Sequence, residues 1–144
     1  NGSVLNATTS SVVIPICPTF APTGNSDVWY SVAIPASGSV TIETQASTTN
    51  PIGDTVLVAF SGSCTTLAPI TCNDDTTGLY STITLTGQTP LSVVYVGVWK
   101  YGTTAPDATT NGFRISAYDA SLSNSTFESN NFIKLTLRCI KGIF

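Results

Sequence analysis

The chain has 144 residues and a formal net charge of −3. This length suits one domain with a sizeable core, and the charge argues against a nucleic-acid partner, which would need a basic stripe. No apolar run approaches the ~20 residues of a membrane helix, so we expect no membrane partner.

Only 9% of the residues are charged, and histidine is absent. Neutral hydroxyl and amide side chains must therefore form most of the surface, which is typical of exported proteins. The lack of histidine removes Ser-His-Asp and Cys-His catalysis and His-ligated zinc. We expect a secreted, extracellular and monomeric protein that is not an enzyme. The chain starts without Met or a signal peptide, so we expect a mature form or part of a longer precursor.

Short segments rich in β-branched residues, separated by Gly, Pro, Asn or Asp, predict an all-β sandwich or barrel. In chain order, the predicted strands are Ser11–Ile16, Val28–Ile34, Ser39–Gln45, Thr55–Ser61, Ala68–Cys72, Tyr80–Thr86, Ser92–Trp99, Gly112–Tyr118 and Phe132–Cys139.

Two of these strands place aromatic residues on the face opposite their valines. Trp29 lies opposite Val28 and Val32, and Trp99 and Tyr101 lie opposite the valines of the seventh strand. Antiparallel sheets of this kind commonly have one face in solvent. If the valine faces point inward, the three aromatic side chains face outward.

Exposed aromatic rings can stack on sugar rings while polar side chains bind the hydroxyls. Lys100 and Arg114 could then bind the carboxylate or sulfate groups of an acidic polysaccharide. These residues with Trp29, Trp99 and Tyr101 form the predicted ligand site. The alternative is that both tryptophans pack beneath loops, as large apolar side chains usually do.

Asp54 and the run Asn73, Asp74 and Asp75 are the candidate metal ligands, and Asp27 could join them. Clustered carboxylate and amide oxygens on adjacent loops can bind calcium, which takes about six to eight oxygens. We expect such calcium to be structural. Alternatively, the Asn-Asp-Asp run only forms a turn. A glycosidase pair is disfavoured, because no further catalytic constellation accompanies the acids.

The four cysteines are Cys17, Cys64, Cys72 and Cys139. The short spacing of Cys64 and Cys72 fits neither a CxxC metal site nor a CxxC redox pair. We expect a disulfide between these two across a loop between strands. Cys17 and Cys139 either pair with each other or have partners outside the chain.

The composition changes near residue 120. Residues 120–131 are rich in Ser and Asn and resemble a linker, and the stretch after them holds three of the five basic residues. We expect a sandwich module over residues 1–119 and a linker with a C-terminal tail over 120–144.

Four stretches in order, Ser26–Glu43, Gly53–Cys64, Cys72–Asp75, and Val94–Trp99 followed by Gly112–Ala117, resemble the pre-peptidase C-terminal domain family of secreted Bacteroidetes proteins. The resemblance covers about residues 10–118. It implies a jelly-roll-like antiparallel β-sandwich of about eight to nine strands, attached to an enzyme or adhesin and itself non-catalytic. Some relatives bind carbohydrate or collagen, and some carry structural calcium. The tail then resembles the remnant of a junction to a sorting domain.

We therefore expect an accessory module that binds polysaccharide and anchors a covalently attached neighbouring enzyme. The alternative is a structural or adhesive spacer that contacts proteins or a neighbouring domain.

Overall fold

The computed structural model describes residues 1–17, 23–63, 65–121 and 133–137. These ranges contain β-strands and no helix, so none of them holds a helix that could cross a membrane. The strands are β1 Gly2–Ser3, β2 Gly24–Ala33, β3 Val40–Ala46, β4 Thr55–Ser63, β5 Thr66–Asn73, β6 Thr82–Leu85, β7 Val93–Tyr101, β8 Gly112–Asp119 and β9 Thr136–Leu137.

The strands form two antiparallel sheets that pack as a sandwich. The four-stranded sheet has the order β1-β8-β3-β6, and the five-stranded sheet has the order β5-β4-β7-β2-β9. Without β9, this interleaving of eight strands is the order of a jelly roll built from two Greek keys. The predicted all-β sandwich is therefore confirmed.

The main core lies between the two sheets, where alternate residues of each strand point inward. Val28, Tyr30 and Val32 of β2 face this core, as their alternation predicts. The fully buried members from other strands and loops include Val4, Val40, Ile42, Ile52, Leu57, Val96, Val98 and Phe113.

A second apolar cluster covers the opposite face of the five-stranded sheet. It contains Cys17, Trp29, Val56, Val58, Phe60, Cys72 and Trp99. Residues 8–17 lie against this face, with Val12 and Ile14 packed on the cluster. The predicted strand Ser11–Ile16 is wrong, because these residues form no strand. The part of the five-stranded sheet around Trp29 and Trp99 is thus buried on both faces.

A disulfide joins Cys17 to Cys72 and fixes residues 8–17 on the sheet. The sulfur atoms are 2.02 Å apart, and the two Cα atoms are 5.3 Å apart. The predicted Cys64–Cys72 bond is therefore wrong, since Cys72 has another partner. A bond between Cys17 and Cys139 is also ruled out. Cys64 and Cys139 themselves lie outside the described residues.

Part of the predicted tail belongs to the sandwich. β9 pairs with Tyr30 and Ser31 of β2, and the Ile133 N–H donates to the Ala117 carbonyl oxygen at 2.8 Å. The predicted domain boundary near 120 therefore does not hold for residues 133–137. Residues 122–132 lie outside the described ranges, so the predicted linker stays a prediction there.

Candidate functional site

Three carboxylates meet at one end of the sandwich. Asp54 immediately precedes β4, and Asp74 and Asp75 immediately follow β5. One carboxylate oxygen from each lies within 4.8 Å of the other two. Because β4 and β5 are antiparallel neighbours, the start of one lies beside the end of the other. The sheet register therefore brings the three acids together; we call them the acidic cluster.

The acidic cluster sits where the chain crosses twice between the sheets. Residues 47–54 lead from β3 to β4, and residues 74–81 lead from β5 to β6. The Ser81 hydroxyl lies 2.5 Å from the Thr55 carbonyl oxygen and 2.7 Å from the Asp74 carbonyl oxygen. The Tyr80 hydroxyl donates to the carbonyl oxygen of Ile52 at 2.7 Å. These bonds hold the two crossing segments side by side.

Two oxygens of the acidic cluster are buried without a hydrogen-bond partner. They are Oδ1 of Asp54 and Oδ1 of Asp74. The whole Asp74 residue is only 3% exposed, whereas Asp75 is exposed. A buried carboxylate oxygen normally accepts a hydrogen bond or binds a metal, since desolvating a charge without compensation is costly.

The electrostatics of the acidic cluster disfavour ionised side chains. Burial raises the pKa of Asp54 to about 6; the charges of Asp74 and Asp75 add to this effect, while Lys100 and the Thr55 N–H oppose it. Burial, followed by the charge of Asp75, raises the pKa of Asp74 to about 6. Like charges and lost hydration both penalise the ionised form. A bound cation would relieve both penalties.

The structure does not place Asn73 or Asp27 in the acidic cluster. Oδ1 of Asn73 accepts hydrogen bonds from the Thr76 hydroxyl at 2.7 Å and the Thr82 N–H at 2.9 Å. This side chain therefore shapes the turn after β5. Asp27 lies on β2, where its carboxylate accepts from Trp29 Nε1 and the Ser10 N–H. The position of Asp27 does not support its prediction as a metal ligand, and the Oδ1 atom of Asn73 is already used in the turn.

The predicted outward position of the tryptophans is wrong. Trp29 is 5% exposed and Trp99 is 1% exposed. Their rings meet edge to face with centroids 5.2 Å apart, beneath the N-terminal residues 8–17. They do lie opposite the valines, as predicted. However, a further layer of chain covers that face, so neither indole can stack on a sugar.

The other three predicted ligand residues are not gathered in one place. Lys100 and Tyr101 end β7, and the Lys100 ammonium donates to the Thr104 carbonyl oxygen at 2.8 Å. Tyr101 is 38% exposed. Arg114 lies on β8 of the other sheet and donates from Nε to the Ala46 carbonyl oxygen at 2.8 Å.

Arg114 borders a shallow groove of about 410 Å³ on the outer face of the four-stranded sheet. Glu43 and Gln45 of β3 and Tyr118 of β8 also line it. The Glu43 carboxylate accepts from the Gln45 amide at 3.0 Å and the Ser116 hydroxyl at 3.2 Å. This groove was not predicted, although the alternation of β3 and β8 places these polar residues on one face.

No family model, curated protein or solved structure matches the chain. The resemblance to the pre-peptidase C-terminal family therefore stays a prediction. The acidic cluster itself has the chemistry of a hard-cation site, since its donors are all carboxylate oxygens. Two oxygens bound to one calcium ion at about 2.4 Å can be at most about 4.8 Å apart, and the cluster satisfies this limit.

Proposed function

We propose that the chain is a non-catalytic accessory module of a secreted multidomain protein, and that it works as a structural or adhesive spacer. The observation that carries this proposal is the burial of both indoles, since Trp29 is 5% and Trp99 is 1% exposed. A ring that stacks on a sugar must present a face to solvent. The two tryptophans, which are the predicted residues best suited to bind a polysaccharide, instead pack inside the protein and stabilise the fold.

The rest of the structure is compatible with such a role. A disulfide between Cys17 and Cys72 fits an oxidising, extracellular compartment. The outer face of the four-stranded sheet carries mainly hydroxyl and amide groups, such as those of Thr41, Gln45 and Thr84. A spacer in contact with water and neighbouring domains needs a stable core and a soluble surface more than a deep pocket.

Polysaccharide binding is the second candidate, at the groove bordered by Arg114. One observation favours it. The side chain of Tyr118 is half-buried, and its phenolic oxygen lies 3.5 Å from Oε2 of Glu43. A phenol can pack against a sugar ring, while carboxylate and guanidinium groups bind hydroxyls or acidic substituents. Of the predicted ligand residues, this site would keep Arg114.

Affinity electrophoresis through gels of neutral and acidic polysaccharides separates the two candidates. The wild type is run beside Tyr118→Ala and Arg114→Ala, with Tyr101→Ala as the matched control on the other sheet. The spacer proposal expects each of the four proteins to have the same mobility in every polysaccharide gel as in a gel without polysaccharide. Retardation of the wild type that Tyr118→Ala or Arg114→Ala abolishes, and Tyr101→Ala keeps, would overturn it and support the groove.

A further inference from the structure

The acidic cluster contains more carboxylates than the turn after β5 requires. Turn formation at the end of β5 is already provided by Asn73, whose Oδ1 accepts from Thr76 and Thr82. Asp74 contributes its backbone carbonyl to Ser81, and this contact needs no carboxylate. Oδ1 of Asp54 and Oδ1 of Asp74 therefore take no part in the hydrogen bonds that shape this turn.

We infer that Asp54, Asp74 and Asp75 bind a Ca²⁺ ion that fastens the two chain crossings at this end of the sandwich. The unpartnered Oδ1 atoms of Asp54 and Asp74 are buried, and the Asp74 side chain is almost wholly removed from solvent. These are the atoms that a cation would satisfy. Asp75 is exposed and adds the third carboxylate from the solvent side.

Calcium fits this donor set better than the other common metals of proteins. The three ligands are carboxylates, whereas zinc and copper favour imidazole or thiolate donors. Calcium also tolerates irregular arrangements and accepts water in the remaining positions, while magnesium demands a near-ideal octahedron. Adjacent residues such as Asp74 and Asp75 supply an irregular arrangement.

The position of the site determines which two segments of the chain the ion would join. Asp54 ends the crossing from β3 to β4, and Asp74 begins the crossing from β5 to β6. Neutral hydrogen bonds from Ser81 and Tyr80 already hold these segments together. An ion shared by the carboxylates adds a charged link between them and removes the repulsion of three acids.

The test uses the whole chain, stripped with EDTA and passed into calcium-free buffer. Thermal unfolding is followed by circular dichroism with EDTA, CaCl₂ or MgCl₂. At a Ca²⁺ concentration of about 100 times Kd, the midpoint should rise by roughly 5–10 °C. An unchanged midpoint would overturn the inference. A rise with MgCl₂ equal to that with CaCl₂ would overturn the assignment to calcium.

The variant Asp74→Asn tests whether the Asp74 carboxylate binds the ion or only forms the turn. For a ligand, this variant loses the calcium-dependent rise, while its midpoint in EDTA equals or exceeds that of the wild type, since a buried uncompensated charge is gone. If Asp74 only formed the turn, Asn would take its place and the calcium-dependent rise would remain, and this outcome would overturn the inference. Asp107→Asn is the matched control, because it removes one acid elsewhere and should keep the rise.

Lys100→Gln tests where the ion lies. The charge of Lys100 acts on Asp54, so its removal should tighten Ca²⁺ binding by roughly 2- to 10-fold, as calorimetric titration with CaCl₂ would measure. Weaker binding by a variant with wild-type circular dichroism would overturn the placement beside Asp54.

Discussion

The indole nitrogen Nε1 of Trp29 donates a hydrogen bond to Oδ2 of Asp27, two residues earlier on β2. The other oxygen of this carboxylate accepts from the backbone N–H of Ser10. Asp27 therefore joins a buried indole to the N-terminal residues 8–17. The same contact gives the buried indole N–H of Trp29 an acceptor and engages both oxygens of the Asp27 carboxylate.

Asp27→Ala should lower the free energy of unfolding by about 1–3 kcal/mol, because it leaves the buried Trp29 indole N–H and the partly buried Ser10 N–H without an acceptor. Urea unfolding followed by circular dichroism measures this loss. Acrylamide should also quench the tryptophan emission more strongly as residues 8–17 loosen. Asp119→Ala is the control, since its partners Ser37 and Ser121 are exposed. Equal losses in both variants would contradict the link through Asp27.

Cys17→Ser should destabilise the chain by about 4 kcal/mol on the chain-entropy model for a loop of this length, since the bonded cysteines are 55 residues apart. Guanidinium unfolding of the non-reduced protein measures the change. Cys64→Ser should leave this bond intact, because Cys72 is bonded to Cys17. The opposite pattern, a stable Cys17→Ser and an unstable Cys64→Ser, would favour the pairing expected from sequence. Peptide mapping of the disulfide gives an independent check.

Gly97→Ala should destabilise the second apolar cluster by about 1–3 kcal/mol through overpacking. A Cβ at this position of β7 would collide with the six-membered ring of Trp99 and press on the ring of Trp29. Gly53→Ala is the control, since a Cβ there meets nothing within 4 Å. Thermal melts of both variants in EDTA test the difference. A neutral Gly97→Ala would show that the indoles lie elsewhere.

Tyr30 should make the fold sensitive to alkali. Burial raises the pKa of its phenol from 10.0 to about 12, so the folded state resists an ionisation that the unfolded chain accepts. This contribution to stability is fully present below pH 10 and is lost as the pH rises from about 10 to about 12. Two pKa units correspond to roughly 2–3 kcal/mol.

Tyr30→Phe tests this dependence, because its side chain cannot ionise. Between pH 9 and 12, its free energy of unfolding from urea titrations should fall less steeply than that of the wild type. Parallel slopes for Tyr30→Phe and the wild type would refute the assignment.

Alternation predicted which side chains of each strand share a face, but not whether that face meets water. Val28 and Tyr30 point into the main core, as expected, and Trp29 points the other way. The outcome for Trp29 depends on residues 8–17, which fold over the sheet without forming a strand. This segment contains the consecutive β-branched residues Val12, Val13 and Ile14. A short apolar run of this kind also occurs in buried strands, so the sequence predicted a strand over Ser11–Ile16.

The acidic cluster was partly predictable, because neighbouring antiparallel strands bring the residues before one strand close to those after the other. Asp54, Asp74 and Asp75 follow this rule. Asp27 does not, since β7 separates β2 from β4, and Asn73 uses its side chain locally in the turn. Disulfide pairing was beyond prediction, because spacing along the chain does not report distance in space.

The bond between Cys17 and Cys72 also limits how far the module could lengthen under load. A spacer between domains is pulled from its ends, and an unfolded chain extends by about 3.3–3.6 Å per residue. The 55 residues that separate the two cysteines cannot be drawn straight while the bond is intact. The bond therefore shortens the fully extended chain by roughly 190 Å. The crosslinked stretch includes β2, β3 and β4.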